Sequence, residues 1–156
     1  MLRIVRYLAV IVVLLGVLGV VMGAVFIAQG VVKNNLLVTA MRQEKITLGV
    51  PSDEIAAGEV IDTAKEAQIA GDTIREHRHS IAPTYGDLLG GKQFDPTNPK
   101  ELTYAQAMNL ENYLYLAVLG FGVTDVVIAA GVFMVAMGIG LWSSGITLFL
   151  LAKRNA

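Results

Sequence analysis

Two sets of titratable residues in this chain could do chemistry, and the first is a lone carboxylate. Asp125 is the only charged residue in the 41-residue stretch from Asn112 to Ala152. A carboxylate inside a membrane segment is by default a candidate for moving ions or protons, but it needs a partner charge. No Lys, Arg or His lies in either of the chain's two long apolar stretches. We therefore expect Asp125 to lie at a membrane interface, and an ion path lined by several copies of Asp125 is the alternative.

The second set is the pair of histidines, His77 and His79, which are candidate metal ligands. On a helix, side chains two residues apart point about 200° away from each other and cannot chelate one ion, whereas on a strand they could. Arg78 between them further disfavours a cation. The chain has no cysteine, which excludes thiolate zinc sites, iron–sulfur clusters and a catalytic thiol. The sequence therefore predicts no metal, no cofactor and no enzymatic reaction.

Composition points to lipid as the solvent for part of the chain. Of 156 residues, 54% are apolar and 16% are charged, and the mean hydropathy is +0.60. A chain this short cannot hide so much apolar surface in one core. The 22 residues from Tyr7 to Ala28 would form roughly 33 Å of helix, enough to cross a bilayer. A cleaved secretory signal is the alternative, but this apolar stretch is too long for a signal core.

The second apolar stretch would make roughly 60 Å of helix, so it is either a hairpin of two crossings or one long helix that leaves the membrane. Basic residues flank both ends of the chain, at Arg3 and Arg6 and at Lys153 and Arg154. The positive-inside rule then puts both termini in the cytoplasm, which requires an even number of crossings. We predict two crossings of the bacterial cytoplasmic membrane, with the second near Ile128–Ala152 and residues of about 30–125 outside.

The charge of the outer segment excludes a nucleic-acid surface. Residues 33–111 contain eight Lys or Arg and twelve Asp or Glu. This segment is therefore acidic, and it has no basic cluster of the kind that binds nucleic acid.

These observations predict an all-α membrane protein with two long antiparallel helices and three regions. Residues 1–45 form the first helix, residues 46–100 form a small, mostly helical outer segment, and residues 101–156 contain the second span. Within the outer segment we expect a helix from Ser52 or Asp53 to Ile81, broken near Gly71. A single helical turn should follow at 84–91. The last helix should begin at an Asn98 capping box, or else at Thr103, and extend for about 50 residues.

Small residues within both spans predict close helix packing. In lipid there is little hydrophobic force between helices, so association depends on small faces that let backbones approach. We expect one such face to contact the other helix of the chain and another to contact a neighbouring subunit. Trp142, deep in the predicted bilayer, should mark a helix contact because its indole N–H needs an acceptor. The predicted packing residues are Gly16, Gly19 and Gly23 in the first span, and Ala136, Gly140 and Ser144, flanked by Gly131, Gly138 and Gly145, in the last.

Four aromatic residues near the outer surface of the predicted bilayer are expected to act as interfacial anchors. They are Tyr104, Tyr113, Tyr115 and Phe121.

Several short motifs lie between residues 44 and 125: Glu44-Lys45-Ile46-Thr47, Ala67-Gln68 with Ile74 and His77, Thr84-Tyr85 with Leu88, and Met108-Asn109. Through them the chain resembles a group of small bacterial membrane proteins with two spans and an outer segment. Some of these carry the automatic label "aromatic ring-opening dioxygenase". That chemistry needs an iron held by two histidines and a carboxylate. His77 and His79 in a charged segment do not supply such a set, so we expect no ring-opening activity.

The sequence thus favours a non-enzymatic integral membrane protein, either an accessory subunit of a larger membrane complex or a self-assembling scaffold. The lipid bilayer and other copies or subunits are its expected partners. An oligomeric transport or sensing component with Asp125 near the path is the alternative function.

Overall fold

A computed structural model describes residues 2–48 and 55–154 of the chain. These residues form four helices: α1 (Leu2–Glu44), α2 (Ala64–Ile81), α3 (Tyr85–Leu89) and α4 (Pro99–Arg154). An antiparallel bridge pairs Thr47 with Val60. The predicted all-α class is confirmed, and so is the end of the first helix near residue 45.

The first and last helices are both long and apolar enough to cross a membrane. With 43 and 56 residues, they are about 65 Å and 84 Å long at about 1.5 Å per residue. In the most apolar window of each helix, only 11% and 17% of the residues are buried. The core helix of a water-soluble protein would be mostly buried, so the apolar side chains of these windows face away from the protein.

The chain divides into two compact units, and both long helices contribute to each. The terminal unit contains the described residues up to Lys33 together with those from Val123 onward. The central unit extends from Asn34 to Gly122. The outer segment predicted from sequence therefore belongs to a unit that also includes the adjoining ends of α1 and α4.

The second helix begins later than the sequence predicted. Ser52 and Asp53, the expected caps, lie outside the described residues, but residues 55–63 are not helical. The N-cap is Thr63, whose hydroxyl accepts a hydrogen bond from the Glu66 amide while the Glu66 carboxylate accepts from the Thr63 amide. This capping box satisfies donors that the first turn leaves free. Val60, which lies within the predicted helix, instead pairs with Thr47 in the bridge.

The predicted break at Gly71 is also wrong, because α2 continues through it to Ile81. Gly71 is buried against Tyr115 of α4, and a Cβ at this position would lie 3.1 Å from the Tyr115 ring. The glycine therefore serves close packing of α2 on α4 within the central unit. The cost of about 1 kcal/mol for glycine in a helix is offset by that contact.

The remaining helix boundaries agree with the sequence predictions. The single turn is α3, capped by Thr84, and Gly90 ends it in the left-handed conformation with φ of 55°. Helix α4 starts at Pro99, directly after Asn98, whose side-chain oxygen accepts from the Lys100 amide at 3.0 Å. The start at Asn98 is therefore confirmed over the alternative at Thr103, which lies inside α4.

The core of the central unit is conventional and apolar. It joins the end of α1, the bridge region, α2 and α4, and its buried members include the fully enclosed Met41, Ile55, Ile61 and Leu114. Two alanines of α2, Ala67 and Ala70, have no exposed surface and let that helix pack closely. Leu48, Ala117 and Phe121 complete this cluster.

Candidate functional site

Glycines at every seventh position form the contact between α1 and α4 in the terminal unit. Seven residues are nearly two turns of helix, so such residues share one face. Ala9, Thr124 and Ala152 continue the same spacing and are 1%, 6% and 4% exposed. We call this contact the glycine seam, and its buried glycines are Gly16, Gly23 and Gly30 on α1 and Gly131, Gly138 and Gly145 on α4.

Backbone touches backbone along the glycine seam. A Cβ on Gly23 would lie 2.5 Å from the carbonyl oxygen of Gly131, and a Cβ on Gly131 would lie 2.7 Å from that of Gly23. The pairing of Gly16 with Gly138 repeats this geometry, since a Cβ on either residue would lie 2.7 Å from the other's carbonyl oxygen. Side chains cannot occupy such space without moving a backbone, so the seam requires glycine.

The residues predicted to pack from sequence fall into two groups. Gly16 and Gly23 belong to the glycine seam, and Gly19 is beside it, where a Cβ would lie 3.2 Å from the Gly138 Cα. The other three, Ala136, Gly140 and Ser144, are exposed on α4, and a Cβ on Gly140 would meet nothing within 4 Å. The flanking glycines 131, 138 and 145 therefore form the contact with α1.

Trp142 and Asp125 are the remaining residues singled out by sequence. Trp142 lies beside the seam: a Cβ on Gly16 would be 2.5 Å from its backbone nitrogen, while its side chain is 45% exposed. Asp125 is exposed on α4, next to the buried Thr124.

The central unit contains a buried ion pair that joins α2 to α4. The Arg78 guanidinium donates to both carboxylate oxygens of Glu111, at 2.7 and 3.3 Å. It also donates to the Tyr104 hydroxyl, and its carbon lies 4.9 Å from the centre of the Tyr104 ring. The Arg78 and Glu111 side chains are only 12% and 9% exposed. The hydrogen bond to Glu111 raises the pKa of Arg78 above its ordinary value, so the guanidinium stays charged.

A second polar contact lies further along the same two helices. The Tyr115 hydroxyl donates to Asp72 at 2.7 Å, and the Gln68 amide donates to the other oxygen of the same carboxylate at 3.0 Å. The bonds from Gln68 and Tyr115, with the charge of Arg75, hold the pKa of Asp72 below its ordinary value. Burial, the hydrogen bond to Asp72 and the charge of that carboxylate raise the pKa of Tyr115 to about 12.

Two of the expected interfacial anchors belong instead to these polar contacts. Tyr104 has no exposed surface, and Tyr115 bonds to Asp72. Sequence reasoning treated both as interface aromatics because it could not see that α2 packs on them. It also missed Arg78 and Glu111, which are 33 residues apart with no local pattern linking them. The one available signal was a charged residue at each position on an otherwise apolar helix face.

The two histidines lie on the exposed surface of α2. Among the residues that the structure describes, no group of three or more His, Asp or Glu side chains is arranged to hold a metal ion. Compared with protein family models, curated proteins and solved structures, the chain matches none.

Substituting Gly138 with leucine should force α1 and α4 apart. A leucine Cβ would lie 2.7 Å from the Gly16 carbonyl oxygen and from the Val20 amide nitrogen, and overpacking of this kind costs about 1–3 kcal/mol or more. Because the chain has no cysteine, spin labels can be placed on introduced cysteines at the exposed Leu18 and Ile139. We expect Gly138→Leu to lengthen the distance between the labels.

Gly122→Leu is the matched control, since it adds the same side chain to an exposed glycine of the same helix, in open space. It should leave the distance between the labels unchanged. Equal distance distributions for the two variants would show that the glycine seam does not hold the helices together.

Replacing Arg78 with methionine should destabilise α2 by roughly 3–5 kcal/mol, because Glu111 would remain buried without its partner. The control is Arg75→Met on the same helix. Arg75 and Asp72 are 47% and 39% exposed, so this loss should be about 1 kcal/mol or less. Hydrogen exchange of the α2 amides measures both free energies of opening. If Arg78→Met and Arg75→Met lower the free energy of opening of α2 equally, the buried pair does not have the dominant role.

Tyr115 should ionise about two pH units above an ordinary tyrosine. The contribution of Tyr115 to the free energy of unfolding should be constant below about pH 10. It should fall as the pH rises from about 10 to about 12, because only the folded state keeps the phenol protonated in that range. Absorbance of the phenolate, taken as the difference between the native chain and Tyr115→Phe, reports this titration. Asp72→Asn should lower the pKa of Tyr115 only part of the way, because burial remains. Ionisation of Tyr115 near the ordinary tyrosine value of about 10 would contradict the contact.

Proposed function

We propose that this protein is a non-enzymatic integral membrane protein of the bacterial cytoplasmic membrane. In this account it packs laterally, as a self-assembling scaffold or an accessory subunit, and presents the central unit outside the membrane. The observation that carries the proposal is the glycine seam between two helices whose large apolar side chains point outward.

The exposed apolar surface of α1 and α4 supports the membrane location. Large hydrophobic residues are exposed along both helices, among them Leu14 at 62%, Leu18 at 56% and Phe133 at 66%. In water such a surface would drive aggregation, whereas in a bilayer it is the ordinary lipid-facing surface. The glycine seam suits this solvent, because close backbone packing replaces the hydrophobic force that is weak between helices in lipid.

The seam contacts also support an antiparallel pair of spans. Residues of rising number on α1 meet residues of falling number on α4: Gly16 with Gly138, Gly23 with Gly131. Arg6 at the start of α1 donates to the Ala152 carbonyl at the end of α4. Two antiparallel crossings put both basic ends of the chain on the cytoplasmic side.

The second small-residue face of α4 is the proposed contact with a neighbouring subunit. Ala136, Gly140 and Ser144 are exposed and repeat every four residues. On the same exposed side, Ser143 and Thr147 donate to carbonyl oxygens of their own helix at 3.0 Å. Their hydroxyls are therefore satisfied without water, so the face can meet either lipid or another helix.

Purified in a gentle detergent, the full chain should form an oligomer or remain in a larger complex. Native mass spectrometry measures this directly. Ala136→Leu combined with Ser144→Leu should dissociate the assembly by blocking backbone approach at the second face. The control is Ala24→Leu with Ala28→Leu, which enlarges two exposed alanines of α1. A native chain that is entirely monomeric, when extracted from its own membrane, would count against the lateral-packing function.

A further inference from the structure

The end of the terminal unit that holds Arg6 contains two adjoining cavities of different character. The first has a volume of about 400 Å³ and is lined by Arg6, Tyr7, Val10 and Phe149. The second has a volume of about 280 Å³, and its lining is wholly apolar: Val10, Val13, Leu14, Ile146, Phe149 and Leu150. Val10 and Phe149 line both cavities, so the two form one groove with a basic end and an apolar end.

Arg6 makes a hydrogen bond at the basic end, but another of its donors has no acceptor there within the described part of the chain. Its guanidinium donates to the Ala152 carbonyl at 3.1 Å, one of the last carbonyls of α4, which have no partner within the helix. Its Nε is buried and has no hydrogen-bond partner among the described residues. An unpaired donor of a charged group costs more free energy than an unpaired neutral donor. An arginine fork is suited to phosphate oxygens.

The charged side chains described at this end of α4, beside the contact with Arg6, are positive. Lys153 and Arg154, both exposed, follow directly after the carbonyl that Arg6 binds. In the sequence no Asp or Glu precedes Glu44 and none follows Asp125. Each Lys or Arg near a membrane surface adds to the attraction for anionic lipid. A ligand with net negative charge therefore fits this end better than a zwitterion.

The apolar end extends in the direction that a lipid tail would take. From Arg6 to Leu14 the groove follows α1 for about 12 Å at about 1.5 Å per residue. The groove opens on the exposed surface of α1 and α4, since Val10, Phe149 and Leu150 are 44%, 38% and 58% exposed. An occupant thus needs an anionic head and a hydrocarbon chain.

We infer that this groove binds one anionic phospholipid, with its phosphate on Arg6 and an acyl chain along Val10, Leu14, Phe149 and Leu150. The inference rests on the proposed membrane location of α1 and α4. The bound lipid supplies acceptors for the guanidinium and fills the apolar groove, so it joins the ends of α1 and α4 at the membrane surface.

The test is native mass spectrometry of the full chain in detergent, titrated with phosphatidylglycerol or with phosphatidylcholine of the same acyl chains. One phosphatidylglycerol should bind about tenfold more tightly than phosphatidylcholine. Arg6→Gln should weaken that binding about tenfold through loss of a charge-assisted contact. Val10→Trp should weaken it by filling the groove while leaving Arg6 intact. The control Lys33→Gln removes the same charge at a distance and should change nothing.

Equal binding of the two lipids, or unchanged binding by Arg6→Gln, would overturn the inference. A second contradicting result has two parts: excess inorganic phosphate displaces the lipid, and Val10→Trp leaves lipid binding unchanged. Together they would indicate a site for free anions. Formation of a lipid-free dimer that Val10→Trp abolishes would instead assign the groove to a second copy. Failure of the proposed membrane location is a separate result, because the chain would then appear in the aqueous fraction of lysed cells.

Discussion

The terminal unit depends on the close approach of two helix backbones at glycines spaced seven residues apart. At Gly23 and Gly131 the carbonyl oxygen of each helix occupies the space that a side chain on the other would need. Where backbones meet in this way, no side chain fits between the paired glycines: Val20 and Val135 pack beside the seam, and leucines such as Leu14 and Leu18 point outward. The glycine seam and the exposed apolar surface are therefore two consequences of one arrangement. Such a pair would gain little from the hydrophobic effect in water, and it is suited to lipid, where packing itself drives association.

The central unit is stabilised by different means, although it contains parts of the same two helices. Its core consists of enclosed aliphatic side chains such as Ile55, Ile61 and Leu114. The Arg78–Glu111 pair fixes which residues of α2 face α4, because a shift of either helix would leave a charge buried without a partner. The contact of Tyr115 with Asp72 fixes the same register a second time, closer to the start of α2. The close packing of Gly71 on Tyr115 shows why α2 tolerates a glycine in its middle.

The sequence predicted the long helices well, because their signal is a physical length of uncharged residues between basic ends. It also predicted α3 and the start of α4, where Thr84 and Asn98 cap short local motifs. It failed at the start of α2: acids after Pro51 resembled a first helical turn, whereas Thr63 and Glu66 form the actual capping box. On α4 the prediction emphasised Ala136, Gly140 and Ser144, which are spaced by four residues. The contact with α1 is instead made by Gly131, Gly138 and Gly145, which are spaced by seven. The contacts of Arg78, Tyr104 and Glu111 could not be predicted, because they join distant parts of the chain without a local pattern.

The proposed function depends on α1 and α4 crossing a membrane as an antiparallel pair, with residues of about 30–125 on one side and both chain ends on the other. Single cysteines test this most directly, because the chain has none of its own. Lys92→Cys places a thiol in an exposed loop of the central unit, and Arg154→Cys places one at the exposed end of α4. In intact cells a membrane-impermeant maleimide should label Lys92→Cys, and it should label Arg154→Cys only after the membrane is broken. Labelling of both thiols in intact cells would contradict the account.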